Sequence, residues 1–207
     1  KQLRAWFDFD LKPDAKLMVK VALSSVSTEG ALENLQAEVP HWDFDRVVRE
    51  TQEGWRNELK RIEITSKRPE VLTNFYTAMY HACLSPTVYM DADRQYRGSD
   101  QNIHIADGFT NYTTFSLWDT YRALHPLFNI IQRDRSSDCV NSMLAHYDQS
   151  AHHMLPIWSH HANENWCMIG YHAVSLIADA DVKGISGFDE RKALEACFDT
   201  QGVPYFD

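Results

Sequence analysis

The period of the apolar residues changes once along this chain, and that change constrains the fold more than any other feature. From residue 30 onward the period is helical. Phe44, Val47, Val48, Trp55, Leu59 and Ile62 recur at steps of three, four or seven and mark one face of a long helix. Asp43 stands where its N-cap would be. A second helix is expected from Pro69, with Val71, Leu72, Phe75, Met79 and Cys83 as its face and Pro86 as its end. A third is expected from about Phe115, broken or kinked at Pro126. Others are expected from Ser137 to Tyr147, from the stretch after Trp158 to about Asp181, and from Glu190 to about Phe198. Short loops force neighbouring helices to reverse, so the pattern predicts a mainly α fold built of antiparallel helical hairpins.

Before the change, residues 1–27 follow a different rule. LRAWFDFD alternates apolar and polar residues, LMVKVALSSVS is rich in β-branched types, and LKPDAK between them suits a turn. This reads as two strands. Two strands alone are marginal in water, so they are expected to belong to a sheet whose other strands lie outside this chain. Residues 28–40, including ALENLQAEV, read as a linking helix that ends at Pro40. Residues 87–112 read as an excursion between helices, rich in Asp, Gly and Asn, with short alternating runs such as IHIA. Excursions of that length in compact domains are usually functional or disordered.

The 207 residues carry a net charge of −9, with Lys and Arg scattered, which argues against a nucleic-acid partner. Hydrophobic residues are 44% of the chain, enough for a sizeable core, and no apolar run is long enough to span a membrane. The chain starts at Lys1, and it reads as a processed chain or an excised piece. Cys83, Cys139, Cys167 and Cys197 are too widely spaced for a zinc ribbon or a redox pair and read as buried free thiols on helices.

Two stretches could carry chemistry. In FSLWDTYRALHP, residues 115–126, Trp118, Asp119 and Arg122 sit together at a helix start. One reading is a capping and ion-pair cluster. The other is a sugar anchor, in which the Asp119 carboxylate accepts hydroxyls while Trp118 packs on the ring. In LPIWSHHANENWCMIGYHAV, residues 155–174, a lone Glu164 stands among Trp158, Trp166 and Met168. If Asn163 caps a helix there, Glu164 is a first-turn carboxylate favoured by the helix dipole. If the aromatic groups keep water out, desolvation makes the carboxyl hold its proton, as a general acid must. The histidine pairs His152–His153 and His160–His161 invite a metal reading, but adjacent residues rarely reach one ion and no HExxH spacing occurs. Asn111 begins an NYT sequon, which matters only in a eukaryotic secretory route.

The motifs EVPHWDFDRV, FYTAMYHACLSPTVYMDADRQYRG, FSLWDTYRALHPL, LPIWSHHANENWCMIGYHAV and IADA occur in this order. Together they resemble the exo-acting α-mannosidases of glycoside hydrolase family 92, over residues 17 to the C-terminus. The resemblance implies an N-terminal β-sandwich followed by an (α/α)6 barrel. Residues 1–27 would be the last strands of the sandwich, 28–40 the connection and 41–207 the first half of the barrel. It implies removal of terminal α-linked mannose from glycans with inversion, dependence on calcium, and an extracellular or periplasmic location. Glu164, six residues after Trp158, matches the general acid. Asp119 matches an aspartate of the mannose pocket, with Trp118, Arg122 and Trp158 beside it as substrate-binding residues. An inverting enzyme also needs a base roughly 6.5–9.5 Å from the acid. Nothing after Glu164 matches the family's base motif, and the calcium ligands are expected mostly outside this chain. The isolated chain is therefore expected to be inactive, with an open apolar face that invites self-association. Rival readings are another (α/α)6 glycosidase, a non-catalytic carbohydrate-binding module, and a histidine-metal hydrolase.

Overall fold

The structure is a computed structural model that describes residues 4–203. Helix α1 spans Thr28–Glu38 and is capped by Ser27, whose hydroxyl accepts the Gly30 N–H at 2.9 Å. Helix α2 (Phe44–Leu59) is capped by Asp43, which accepts the Arg46 N–H at 2.9 Å. Helix α3 (Pro69–Ala82) begins with proline at its first position, where no N–H is needed. The excursion then folds as irregular chain pinned by short antiparallel ladders. Strand β1 (Thr87–Val88) pairs with β4 (Tyr112–Thr113), and β2 (Gln95–Arg97) pairs with β3 (Ile103–Ile105).

Strand β5 (Phe115–Ser116) leads into a single helical turn, α4 (Leu117–Thr120), and then α5 (Leu124–Ile131). The expected single helix from Phe115 is thus a strand and two short helices. The break falls before Pro126, and the proline sits in the first turn of α5, where its missing N–H costs nothing. Helix α6 (Arg133–Gln149) is longer than its apolar period predicts, because Ser136, Ser137 and Ser142 are buried along with its apolar residues. Strand β6 (Trp158–Ser159) pairs with β5. Helices α7 (His172–Val182) and α8 (Glu190–Gly202) complete the chain, α8 capped by Asp189.

The core lies among α6, α7 and α8. Cys139, Val140, Met143, Leu144, Leu155, Leu176, Ile177, Ala180, Ala193 and Ala196 form one buried cluster, with Phe115 and Leu117 reaching in from β5 and α4. Burying a side chain of Leu or Met size is worth about 1.5–3 kcal/mol, so this cluster fixes where the β5–β6 ladder stands.

Residues 4–27 hold no paired strand, while residues 1–3 lie outside the described residues. The sheet partners expected for this stretch lie outside the chain, and among the described residues it forms no ladder. The segment docks instead through side chains: Asn34 Nδ2 donates to Leu23 O and to the buried Asp91, and Arg97 Nε donates to Ser25 O at 2.8 Å. One correction concerns the cysteines. All four are free, but only Cys139 is fully buried, and Cys167 is exposed because it lies in the irregular chain before α7. A second correction concerns the helix after Trp158, whose start is expected at Asn163–Glu164: α7 starts only at His172. Among the described residues, no helix is long and apolar enough to cross a membrane.

Candidate functional site

The β5–β6 ladder joins the two motif-bearing stretches. Phe115 is paired with Ser159 and Ser116 with Trp158, which brings the chain bearing Trp118 and Asp119 beside the chain bearing Glu164. A second clamp sits alongside: the Tyr121 and His172 rings stack with centroids 4.0 Å apart and planes 12° from parallel. Gly170 is required for that approach. Its φ is +117°, and a Cβ there would stand 2.0 Å from His172 Nε2.

After β6 the chain turns back on itself. His160 and Asn163 exchange backbone hydrogen bonds in both directions, at 2.8 and 3.2 Å, around His161 and Ala162. Both central residues have positive φ, 46° and 60°, as a tight hairpin turn of the primed kind demands. Neither is glycine or asparagine, so the usual sequence signal for this hairpin is missing. The tip is held by neighbours instead: the His161 N–H donates to Thr113 Oγ1 at 2.8 Å, and Gln101 Nε2 donates to Ala162 O at 2.9 Å. Trp166 and Met168 also have positive φ. Backbone strain of this kind, retained by surrounding contacts, clusters at functional sites.

Glu164 closes the hairpin as a bridge partner of Ser159. It is therefore not a first-turn helix residue, and Asn163 is not an N-cap. Its side chain is only 9% exposed. One oxygen, Oε2, accepts the Ile157 N–H at 2.9 Å; the other, Oε1, accepts the Trp158 N–H at 2.9 Å and the Trp166 N–H at 3.2 Å. The dry aromatic wall expected around it is absent, since Trp166 is 40% and Met168 51% exposed. His146 of α6 comes up behind, with Nε2 3.8 Å from Glu164 Oε2.

The other anticipated residues are arranged as follows. Asp119 is exposed, and its Oδ2 accepts the Ser116 hydroxyl at 2.5 Å. Trp118 is half-buried on the same turn. The expected Asp119–Arg122 ion pair does not form among the described residues; Arg122 lies over the Tyr121 ring, 5.4 Å from its centroid. Trp158 is half-buried and meets His160 edge-on at 6.0 Å. Sequence reasoning missed Ser116, Tyr121, His146 and His172. The stack of Tyr121 on His172 spans 51 positions of sequence, and nothing local signals it.

Two imidazoles near the ladder are held neutral. Burial pushes both His125 and His146 down to about 4. The neighbouring carboxylate does not rescue His146, because at 3.8 Å the contact is longer than a hydrogen bond and desolvation dominates. His161 is also lowered, first by burial and then by the adjacent His160, on which it stacks at 3.9 Å. Among the described residues, no three His, Cys, Asp or Glu side chains converge as a metal site.

Comparison with known proteins decides the family. Residues 30–205 match the family model of the glycosyl hydrolase family 92 catalytic domain. The chain belongs to glycoside hydrolase family 92. It is similar to a family 92 α-mannosidase of Bacteroides thetaiotaomicron, with 49% identity and a TM-score of 0.85 over 89% of this chain and 25% of that one. A structure of that enzyme in complex with mannoimidazole gives 49% identity and a TM-score of 0.84, over 89% of this chain and 24% of that one. An inverting family 92 mannosidase of the same organism shares 34% identity, with a TM-score of 0.77 over 84% of this chain and 23% of that one. The chain spans about a quarter of the length of the family 92 structures it matches. No curated protein matches it significantly. The mainly helical fold is that of the family 92 catalytic domain segment.

Proposed function

We propose that the full-length protein carrying this segment releases terminal α-linked mannose from glycans. The observation that carries the reading is the 49% identity to an α-mannosidase across the segment that holds both motif stretches. The mannoimidazole bound by that relative supports a mannose-type substrate. In this reading residues 41–207 are the first half of an (α/α)6 barrel, 28–40 the connection, and 1–27 the last strands of a β-sandwich. The enzyme inverts and depends on calcium, with base and ion ligands supplied from outside this segment, and it acts outside the cell or in a periplasm. Asp119, Trp118, Arg122 and Trp158 face the sugar, the carboxylate accepting hydroxyls and the rings covering its apolar face.

Glu164 is the general acid in the same reading. Three backbone N–H groups occupy its oxygens in the state described, so donation to a departing glycosidic oxygen requires one oxygen to leave that set. Those same bonds favour a second reading, in which Glu164 fastens the hairpin and the acid stands elsewhere in the full-length protein. Glu164→Gln in the full-length enzyme separates the two. Proton donation matters most when the leaving group is poor. An acid therefore gives a large loss on α-1,2-mannobiose, on the order of a hundred-fold or more, and a small one on an activated aryl mannoside. A fastener gives comparable losses on both. Release of mannose by the wild type, abolished by a calcium chelator, tests the function itself; its absence would move the reading to another glycosidase or to a binding module.

A further inference from the structure

Buried polar atoms in native proteins nearly always have partners, so an exception calls for an explanation. Among the described residues, three buried side-chain atoms lack a hydrogen-bond partner: Ser99 Oγ, Ser136 Oγ and His146 Nε2. The hydroxyls rotate and lose little. An imidazole nitrogen is fixed by its ring, and leaving it unpaired costs the desolvation of a strong donor or acceptor. The His146 side chain is 11% exposed and rides on α6, whose two preceding turns carry the fully buried Met143 and Val140. A rigid mount thus delivers an unsatisfied nitrogen to one place, 3.8 Å from Glu164 Oε2.

We propose that His146 is a positioning residue that acts on the site through Glu164. The proposal rests on the reading of Glu164 as part of the site, in either of its two roles. Glu164 Oε2 has one backbone donor, from Ile157, whereas Oε1 has two. Oε2 is the oxygen with room for another donor, and His146 Nε2, in the tautomer that carries its proton there, is the group that faces it. A closure of under 1 Å would make the contact a charge-assisted hydrogen bond; such bonds in enzymes are often long until substrate is bound. Neutral imidazole suits this role, because it donates one proton without placing a second charge against the buried carboxylate. His146 would then select which Glu164 oxygen stays bound to the protein and which turns toward the sugar.

The test is a double-mutant cycle in the full-length enzyme. His146→Leu keeps the apolar bulk and removes the donor, and kcat on an α-mannoside is expected to fall roughly ten-fold with KM little changed. His146→Gln, whose amide nitrogen stands close to the Nε2 position, is expected to restore most of the rate. In a Glu164→Gln background His146→Leu is expected to add no further loss. Full additivity of the two, or an unchanged kcat for His146→Leu, would overturn the proposal. Amide hydrogen exchange gives a readout that does not depend on activity. The Ile157, Trp158 and Trp166 amides are expected to lose protection in His146→Leu, while those of α8 keep theirs. If the wild type hydrolyses no mannoside, the functional reading fails, and the exchange experiment alone decides the proposal: unchanged protection at Ile157 and Trp158 rejects it.

Discussion

Helix α2 and helix α6 are nearly equal in length, yet they live in different surroundings. α2 separates its apolar and polar residues sharply, but none of its residues is buried, and Phe44 at its start is 69% exposed. α6 is poor in large apolar residues, and eight of its residues are buried, three of them serines. α2 touches the rest of the molecule at few points. Trp55 packs on Tyr80 of α3 at 4.5 Å, and Glu58 accepts from Gln132 and Arg135. Burial works against ionisation of Glu58, but these donors, with Arg61, hold its carboxyl below the ordinary range. α6 is enclosed by α5, α7, α8 and β4, and its buried Ser142 finds a backbone acceptor, donating to Asp138 O at 2.7 Å. An amphipathic stripe therefore says which face of a helix seeks burial. Whether burial happens depends on the partner, and the stripe of α2 packs mainly on α3.

The largest effect expected from this contrast is in the core. Met143→Ala, at a position with no solvent exposure, should cost about 2–5 kcal/mol in urea unfolding. Val48→Ala on α2 should stay within about 0.5 kcal/mol; equal costs would show that α2 belongs to the same cooperative unit as α6.

Acid comes next. His125 and His146 have folded-state values lowered from 6.5 to about 4. The unfolded chain thus binds protons between those values while the folded chain does not. Stability is complete above 6.5, falls as the pH drops through this window, and levels off below about 4 for these two groups. Each shift corresponds to on the order of 3 kcal/mol, all of it on the enclosed half of the molecule. His146→Leu should flatten the dependence measured by urea midpoints at a series of pH values. A midpoint that rises on acidification from neutrality would contradict the sign.

The smallest effect separates the two helical groups by cooperativity. Asp43 caps α2 and Asp189 caps α8 through matching hydrogen bonds of 2.9 Å. Replacing either by Ala should cost about 1 kcal/mol of local helix stability. For α8 this should appear as a shift of the global transition. For α2 it should appear as loss of helical signal before the transition, seen by circular dichroism or by exchange of the α2 amides.

The sequence by itself determined that the chain is mainly helical and placed α2, α3 and α8, with the cap at Asp43, because 3.6-residue periodicity, Asp at N-caps and Pro at first turns act over a few residues. Asp43 and Pro69 are examples where local chemistry was enough. It also determined the family, through FSLWDTYRALHPL and LPIWSHHANENWCMIGYHAV, and placed Glu164 and Asp119 among the candidates. What only the tertiary structure decided was how those two stretches meet. The β5–β6 ladder and the stack of Tyr121 on His172 join residues about 40 to 50 positions apart, and loop closure over such distances leaves no local periodicity to read. The hairpin was further hidden because its positive-φ residues are His and Ala, stabilised by Thr113 and Gln101 rather than by a glycine. For the same reason Glu164, expected at a helix start among dry aromatic groups, proved to be a carboxylate held by three backbone N–H groups, with His146 behind it.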